Sequence, residues 1–176
     1  HRNTAIGSSS MQNYSGTGFD NNTSVGYANL VGMTTGSGNT SVGAESMMSL
    51  TTGMYNTSIG NQSLINTTGS SNTSVGYQSL INSTGTNNSA LGHRSLYSNT
   101  TGVNNNAFGY NALYNNTIGS NNNAFGRYAL INNTTGNNNS AFGHYALSAN
   151  TTGTINNAFG NQALRNNTIG TSNSAF

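Results

Sequence analysis

Asn105-Asn106-Ala107-Phe108-Gly109, followed by Ala112-Leu113 and Thr117-Ile118-Gly119, decides the fold, because the chain writes this phrase about ten times. Upstream it reads Asn72-Thr73-Ser74-Val75-Gly76, and downstream Asn156-Asn157-Ala158-Phe159-Gly160. The motif glycines are Gly7, Gly26, Gly43, Gly60, Gly76, Gly92, Gly109, Gly126, Gly143 and Gly160, 19 residues apart once and 16 or 17 thereafter. Asn stands four residues before every one of them, as in Asn72, Asn105, Asn122, Asn139 and Asn156. A large apolar residue stands immediately before, passing from Val42 and Val75 to Phe108, Phe125, Phe142 and Phe159. Another stands four after, as in Leu113, Leu130, Leu147 and Leu164. Self-similarity at a fixed period marks a chain that is quasi-one-dimensional.

Composition narrows the class. Only 3% of the 176 residues are charged, against about a quarter in ordinary domains. Asn is about one residue in five, and Pro, Cys, Trp and Lys are absent. Low apolar content usually signals disorder, but the high net charge or Pro that accompanies it is missing. The apolar residues also keep fixed places in the repeat, so the chain is expected to be ordered.

Two glycines per repeat and abundant Asn exclude helix. Short β-branched or aromatic segments bounded by Gly and Asn read as strands and turns. No Asn-Gly dipeptide occurs, so the favoured hairpin signal is missing. The expected fold is therefore all-β: a parallel β-solenoid or β-roll of about ten turns, rising about 4.8 Å per turn to a rod on the order of 50 Å. The Asn column four residues before the motif glycines should hydrogen-bond from rung to rung, and the Gly columns should supply positive φ at the corners.

The chain is expected to be one repetitive segment, an excerpt of something longer. Residues 1–25 form an irregular first repeat with an insertion around Gly16, Gly18, Phe19 and Asp20; 26–92 are Ser/Val-type repeats and 93–176 Ala/Phe-type repeats. Ser41-Val42 and Ser74-Val75 give way to Ala107-Phe108, while Ser63, Ser79 and Ser95 give way to Ala112, Ala129, Ala146 and Ala163. The concerted change predicts that all three positions line one interior, drier and bulkier toward the C-terminus.

Each turn then buries few large side chains, at roughly 1.5–3 kcal/mol apiece, against about 1–2 kcal/mol of backbone entropy per ordered residue. Further burial between copies would help, and a homotrimer suits a rod. Asn3-Thr4-Ala5-Ile6-Gly7, Asn72-Thr73-Ser74-Val75-Gly76-Tyr77-Gln78-Ser79-Leu80 and Asn99-Thr100-Thr101-Gly102 resemble the repeats of phage and viral tail-fibre shafts. They are also similar to the head repeats of trimeric autotransporter adhesins. That resemblance, which spans Asn3 to Phe176, implies an intertwined or packed homotrimeric fibre of extracellular location, on a virion tail or a cell surface.

Catalysis is not expected. Asp20 and Glu45 are the only carboxylates, too few and too separate for an acid/base pair, and no thiol or P-loop lysine exists. No cofactor or metal is implied, since His93 and His144 lie three repeats apart, roughly 14 Å along the rod. Four scattered Arg make no nucleic-acid footprint, and no apolar run is long enough for membrane insertion.

The variable slots follow each motif glycine: Tyr27, Tyr77, Gln78, His93, Arg94, Tyr110, Arg127, Tyr128, His144 and Tyr145. Their variation beside invariant neighbours points them outward as a candidate surface-contact column. Flat rings with polar tips suit a host-surface glycan or receptor; plain packing or solvation is the simpler account of the same residues. The function read from all this is a structural shaft segment of a tail fibre or adhesin, supporting host or surface attachment. Two alternatives stand beside it. One is a monomeric ice- or surface-binding solenoid using the Thr34-Thr35, Thr51-Thr52, Thr67-Thr68 column. The other is a self-assembling extracellular filament.

Overall fold

The computed structural model describes residues 2–15 and 21–176; the insertion expected at residues 16–20 lies outside them. The strands are β1 (Thr4–Ile6), β2 (Thr23–Tyr27), β3 (Thr40–Ala44), β4 (Thr57–Ile59), β5 (Thr73–Val75) and β6 (Ser89–Leu91). They continue as β7 (Asn106–Phe108), β8 (Asn123–Phe125), β9 (Ser140–Phe142), β10 (Asn157–Phe159) and β11 (Ser174–Ala175). They form one sheet in strict sequence order, every pairing parallel and in repeat register, as in Ala107↔Ala124 and Phe108↔Phe125. The chain is a β-solenoid of about ten turns, all-β among the described residues.

Strands of three residues cannot hold such an object together by themselves. The turns are laddered as well: Leu113 N–H donates to Ala129 O at 3.0 Å, Asn115 to Ile131 O at 3.0 Å and Thr117 to Thr134 O at 2.9 Å. Each turn thus uses the next as its hydrogen-bond template almost all the way round, which satisfies backbone groups that irregular loops would leave bare.

The interior is narrow and half polar. Leu30, Met47, Leu64, Leu80, Leu96, Leu113, Leu130 and Leu147 form one fully buried column. Each of these core residues has φ near +50°, 47° at Leu80 and 52° at Leu113. That conformation costs roughly 1–2 kcal/mol per residue outside glycine. The reward is that the side chain turns inward at a corner, where each rung stacks on the one below.

The left-handed corners do not all fall on the glycine columns, contrary to expectation. The motif glycines do have positive φ, 117° at Gly7 to 146° at Gly143. The second glycines, such as Gly102 and Gly119, do not; the remaining left-handed corners fall on Asn111, Leu113 and Asn121 instead. Space, rather than φ, requires Gly102: a Cβ there would lie 2.3 Å from Gly119 O and 2.5 Å from Asn99 Oδ1.

The aromatic column does not line the interior as expected. Ala107, Ala124, Ala141 and Ala158 are fully buried, but Phe125 and Phe159 are 36% and 39% exposed. Phe108, Phe125, Phe142 and Phe159 are not interior filling. Successive strand residues point to opposite faces, so an inward Ala sends the following Phe outward. The inward slot admits only a small residue because the column three after the motif glycine closes on it from across the coil.

In the N-terminal half that contact is a hydrogen-bonded file of hydroxyls. Ser46 Oγ meets Ser58 Oγ at 2.7 Å, Ser63 Oγ meets Ser74 Oγ at 2.8 Å, and Ser74 and Ser79 hydroxyls are also paired. In the C-terminal half Ala107 and Ala112 are both fully buried. Two of the three co-varying positions therefore do share the interior. A buried hydroxyl without its partner is costly, and the two columns change type within about one repeat of each other; Ser95, between Ala90 and Ala107, turns its hydroxyl to Gly92 O at 3.3 Å instead. Ser46→Ala is expected to cost about 1 kcal/mol, and Ser46→Ala with Ser58→Ala less than the sum of the two singles. A thermal double-mutant cycle followed by circular dichroism checks this; strict additivity would contradict the pairing.

Candidate surface-recognition flank

Two asparagine columns fix the rungs that present the surface. In the first, Asn122 N donates to Asn105 Oδ1 at 3.0 Å, its Nδ2 to the same oxygen at 3.2 Å, and again to Gly136 O at 2.8 Å. The pattern recurs at Asn139 and Asn156.

The second column was not foreseen. Asn116, Asn133 and Asn150, also fully buried, donate Nδ2 to the preceding rung's Oδ1 at 2.8, 2.8 and 2.9 Å. Its signal was present in the sequence as Asn seven residues after every motif glycine from Gly92 onward.

That same column explains the 16-residue repeats and corrects the threonine array. Thr67 and Ser83 occupy it in the two short turns, buried rather than exposed. Thr67 Oγ1 donates to Ser83 O at 2.5 Å and accepts from Gly69 N at 3.2 Å. The short side chain reaches a glycine two residues on, whereas Asn116 Nδ2 reaches Gly119 O three residues on at 2.9 Å. Thr67 is therefore no partner of Thr34 or Thr51, and a flat face two threonines wide is interrupted there. The threonines that do align commit their hydroxyls to the next rung: Thr100 to Thr117 O at 2.9 Å and Thr117 to Thr134 O at 3.0 Å.

The variable slots gather on one flank. Tyr77 stacks on His93 at 5.3 Å and His93 on Tyr110 at 4.9 Å. Tyr110 meets Tyr128 edge-on at 5.5 Å, and Tyr128 meets Tyr145 at 4.9 Å. His144 packs on Tyr145 at 4.4 Å. Tyr27, 58% exposed, stands apart from this file. A parallel file that the slot pattern missed holds Tyr97 and Tyr114, stacked at 5.0 Å and 5°.

Guanidiniums lie over the rings. Arg94 sits 5.5 Å from Tyr97, Arg127 4.7 Å from Tyr128, and Arg165, another residue outside the slot pattern, 5.2 Å from Tyr145. The hydrogen bond from Arg127 to the Tyr128 hydroxyl raises the arginine's pKa above its ordinary value, with the nearby phenols adding to it. A polar chain crosses four rungs beside these rings. Gln62 Nε2 donates to Glu45 Oε2 at 2.8 Å, Gln78 Nε2 to Gln62 Oε1 at 2.7 Å, and Arg94 Nε to Gln78 Oε1 at 2.9 Å. An anion at one end and a cation at the other orient both amides, so Gln78 and Arg94 hold fixed poses.

His93 has a ring on each face, and its Nδ1 is buried without a hydrogen-bond partner, as is Asn111 Oδ1. Among the described residues no three His, Cys, Asp or Glu gather where they could hold a metal. No helix there is long and apolar enough to cross a membrane.

The fold and flank together define a class, the parallel β-solenoids built on side-chain ladders. The chain matches no protein-family model, no curated protein and no solved structure.

Proposed function

We propose that this chain is a structural shaft segment of an extracellular attachment fibre, of the viral tail-fibre or surface-adhesin kind. It would self-associate side by side as a homotrimer and support contact with a host or surface glycan or receptor. The observation that carries the reading is the outer face of the sheet. Ile6, Val25, Val42, Ile59, Val75 and Leu91 continue into Phe108, Phe125, Phe142 and Phe159 as one outward apolar stripe. The phenyl rings stack 4.8–4.9 Å apart and within 4° of parallel.

The neighbouring outward column, Thr57, Thr73, Ser89, Asn106, Asn123, Ser140 and Asn157, carries no charge. An uncharged stripe of this length is larger than scattered surface apolar residues would give and marks an interaction surface. A second copy presents the same stripe at the same rung spacing, so chains can register along their whole length.

Light scattering on the purified chain is expected to return three times the 18.2 kDa chain mass. Phe125→Ser with Phe142→Ser should give monomers with an unchanged circular dichroism spectrum. A parent chain that stays monomeric would overturn the side-by-side assembly.

A further inference from the structure

We propose that the flank carries a binding groove for an extended polysaccharide bearing one carboxylate per disaccharide. The inference deepens the attachment reading by naming a ligand class for the shaft's own side. An open groove of about 490 Å³ is lined by Tyr128, Asn132, Tyr145, Arg165 and Asn166. Two of its lining residues are half-buried phenol rings 4.9 Å apart and tilted by 30°, whose apolar edges the C–H groups of a pyranose can meet. Asn132 is anchored by its Nδ2 to Ser148 O at 2.9 Å, and the Arg165 guanidinium over Tyr145 stands at the groove's edge.

Charge selects among polyols. Glu45, the one carboxylate among the described residues, accepts from Gln62, while Arg94, Arg127 and Arg165 all lie on this flank over its rings. Along the rod they belong to turns two rungs apart, Arg94 to the turn of Gly92, Arg127 to that of Gly126 and Arg165, five residues past the glycine, to that of Gly160. Two rungs are roughly 10 Å, about the length of a disaccharide. Duplex nucleic acid carries a charge every ~1.7 Å along its axis, far denser than these cations can match. The charge spacing therefore fits a sugar polymer with alternating acidic units.

The test is calorimetric titration of the full chain with an octasaccharide of alternating glucuronate and N-acetylhexosamine, and with the same octasaccharide after carboxyl reduction. Saturable binding is expected, weakened about tenfold in Arg165→Gln or Arg127→Gln, each of which removes one charge-assisted contact, and more strongly on carboxyl reduction, which removes all of them. Tyr145→Phe should retain binding and Tyr145→Ala lose it, while Arg2→Gln, remote from the groove, should change nothing. Absence of saturable binding would overturn the proposal. So would equal binding of the neutral octasaccharide, an unaffected Arg165→Gln, or an equal loss in Arg2→Gln. Light scattering on the same samples separates the two readings. A trimer that does not bind removes the groove and leaves the shaft; a monomer that binds removes the assembly and leaves the groove.

Discussion

Asn122→Asp is expected to destabilise the central turns more than Asn122→Ala does, although Asp is the closer match in shape. Asn122 is fully buried. Its Oδ1 accepts from Asn139 N at 3.0 Å and from Asn139 Nδ2 at 3.2 Å. Its Nδ2 faces two oxygens, Asn105 Oδ1 and Gly136 O. Alanine orphans the Asn139 N–H, because Asn139 Nδ2 keeps Gly153 O and Gly136 O keeps Asn133. One buried orphan and the lost bonds cost about 3 kcal/mol.

Aspartate keeps the acceptor but turns a second oxygen toward two others and brings a buried charge. The charge penalty outweighs the acceptor that Asp keeps, so the total loss at pH 7 exceeds alanine's by about 2 kcal/mol. Burial raises the folded-state pKa of that carboxyl above its unfolded value of about 3.9. The folded state then binds the proton more tightly, so the penalty shrinks as pH falls through the folded pKa toward the unfolded one. The parent chain has no carboxyl at this site to respond. Amide exchange at Asn139 and thermal melts at two pH values check both parts; equal stability of the Asp and Ala variants would show that the buried charge and the facing oxygens cost no more than the acceptor that Asp retains.

Gly109→Ala is the second large effect, and the chain supplies its own control. At Gly109 φ is 144° and a Cβ would lie 2.6 Å from Gly126 O and 2.7 Å from Gly126 C. Both backbone strain and a rung-to-rung clash are engaged, and neither neighbour is a side chain that can swing away. Gly160 has φ 124° but nothing within 4 Å of the added carbon. Gly160→Ala should therefore report the conformational term alone, about 1–3 kcal/mol. Gly109→Ala should exceed it by about 2 kcal/mol or more, the cost of overpacking against a fixed neighbour. Denaturation monitored by amide exchange rung by rung measures the difference, since the energetics of stacked repeats are local. Equal losses at the two glycines would place the whole cost in φ.

The period, the parallel coil and the asparagine column at Asn105 were legible because each rests on a residue type with few alternatives. Invariant Asn beside invariant Gly, with no hairpin signal, leaves stacking of like on like. The candidate flank was legible only as variation: His93, Arg94, Tyr110 and their counterparts differ where their neighbours do not. Arg165 and Tyr97, which complete that flank, lie outside the slots just after the motif glycine, so only the shape of the turn brings them there.

The sequence by itself determined that this chain is a rod of repeated turns, since a period carried by Asn, Gly and Leu can be satisfied only by each copy templating the next. The tertiary structure alone decided which side of the wall each column faces. Hydrophobicity did not predict it. The inside is too narrow for anything but Ala or Ser opposite Ala112 or Ser63, so alternation along the strand put the phenylalanines outside. The length of the turn put Thr67 inside and left Thr34 out. Facing depends on the width of a cavity that exists only once the turns are stacked, and no single repeat contains it.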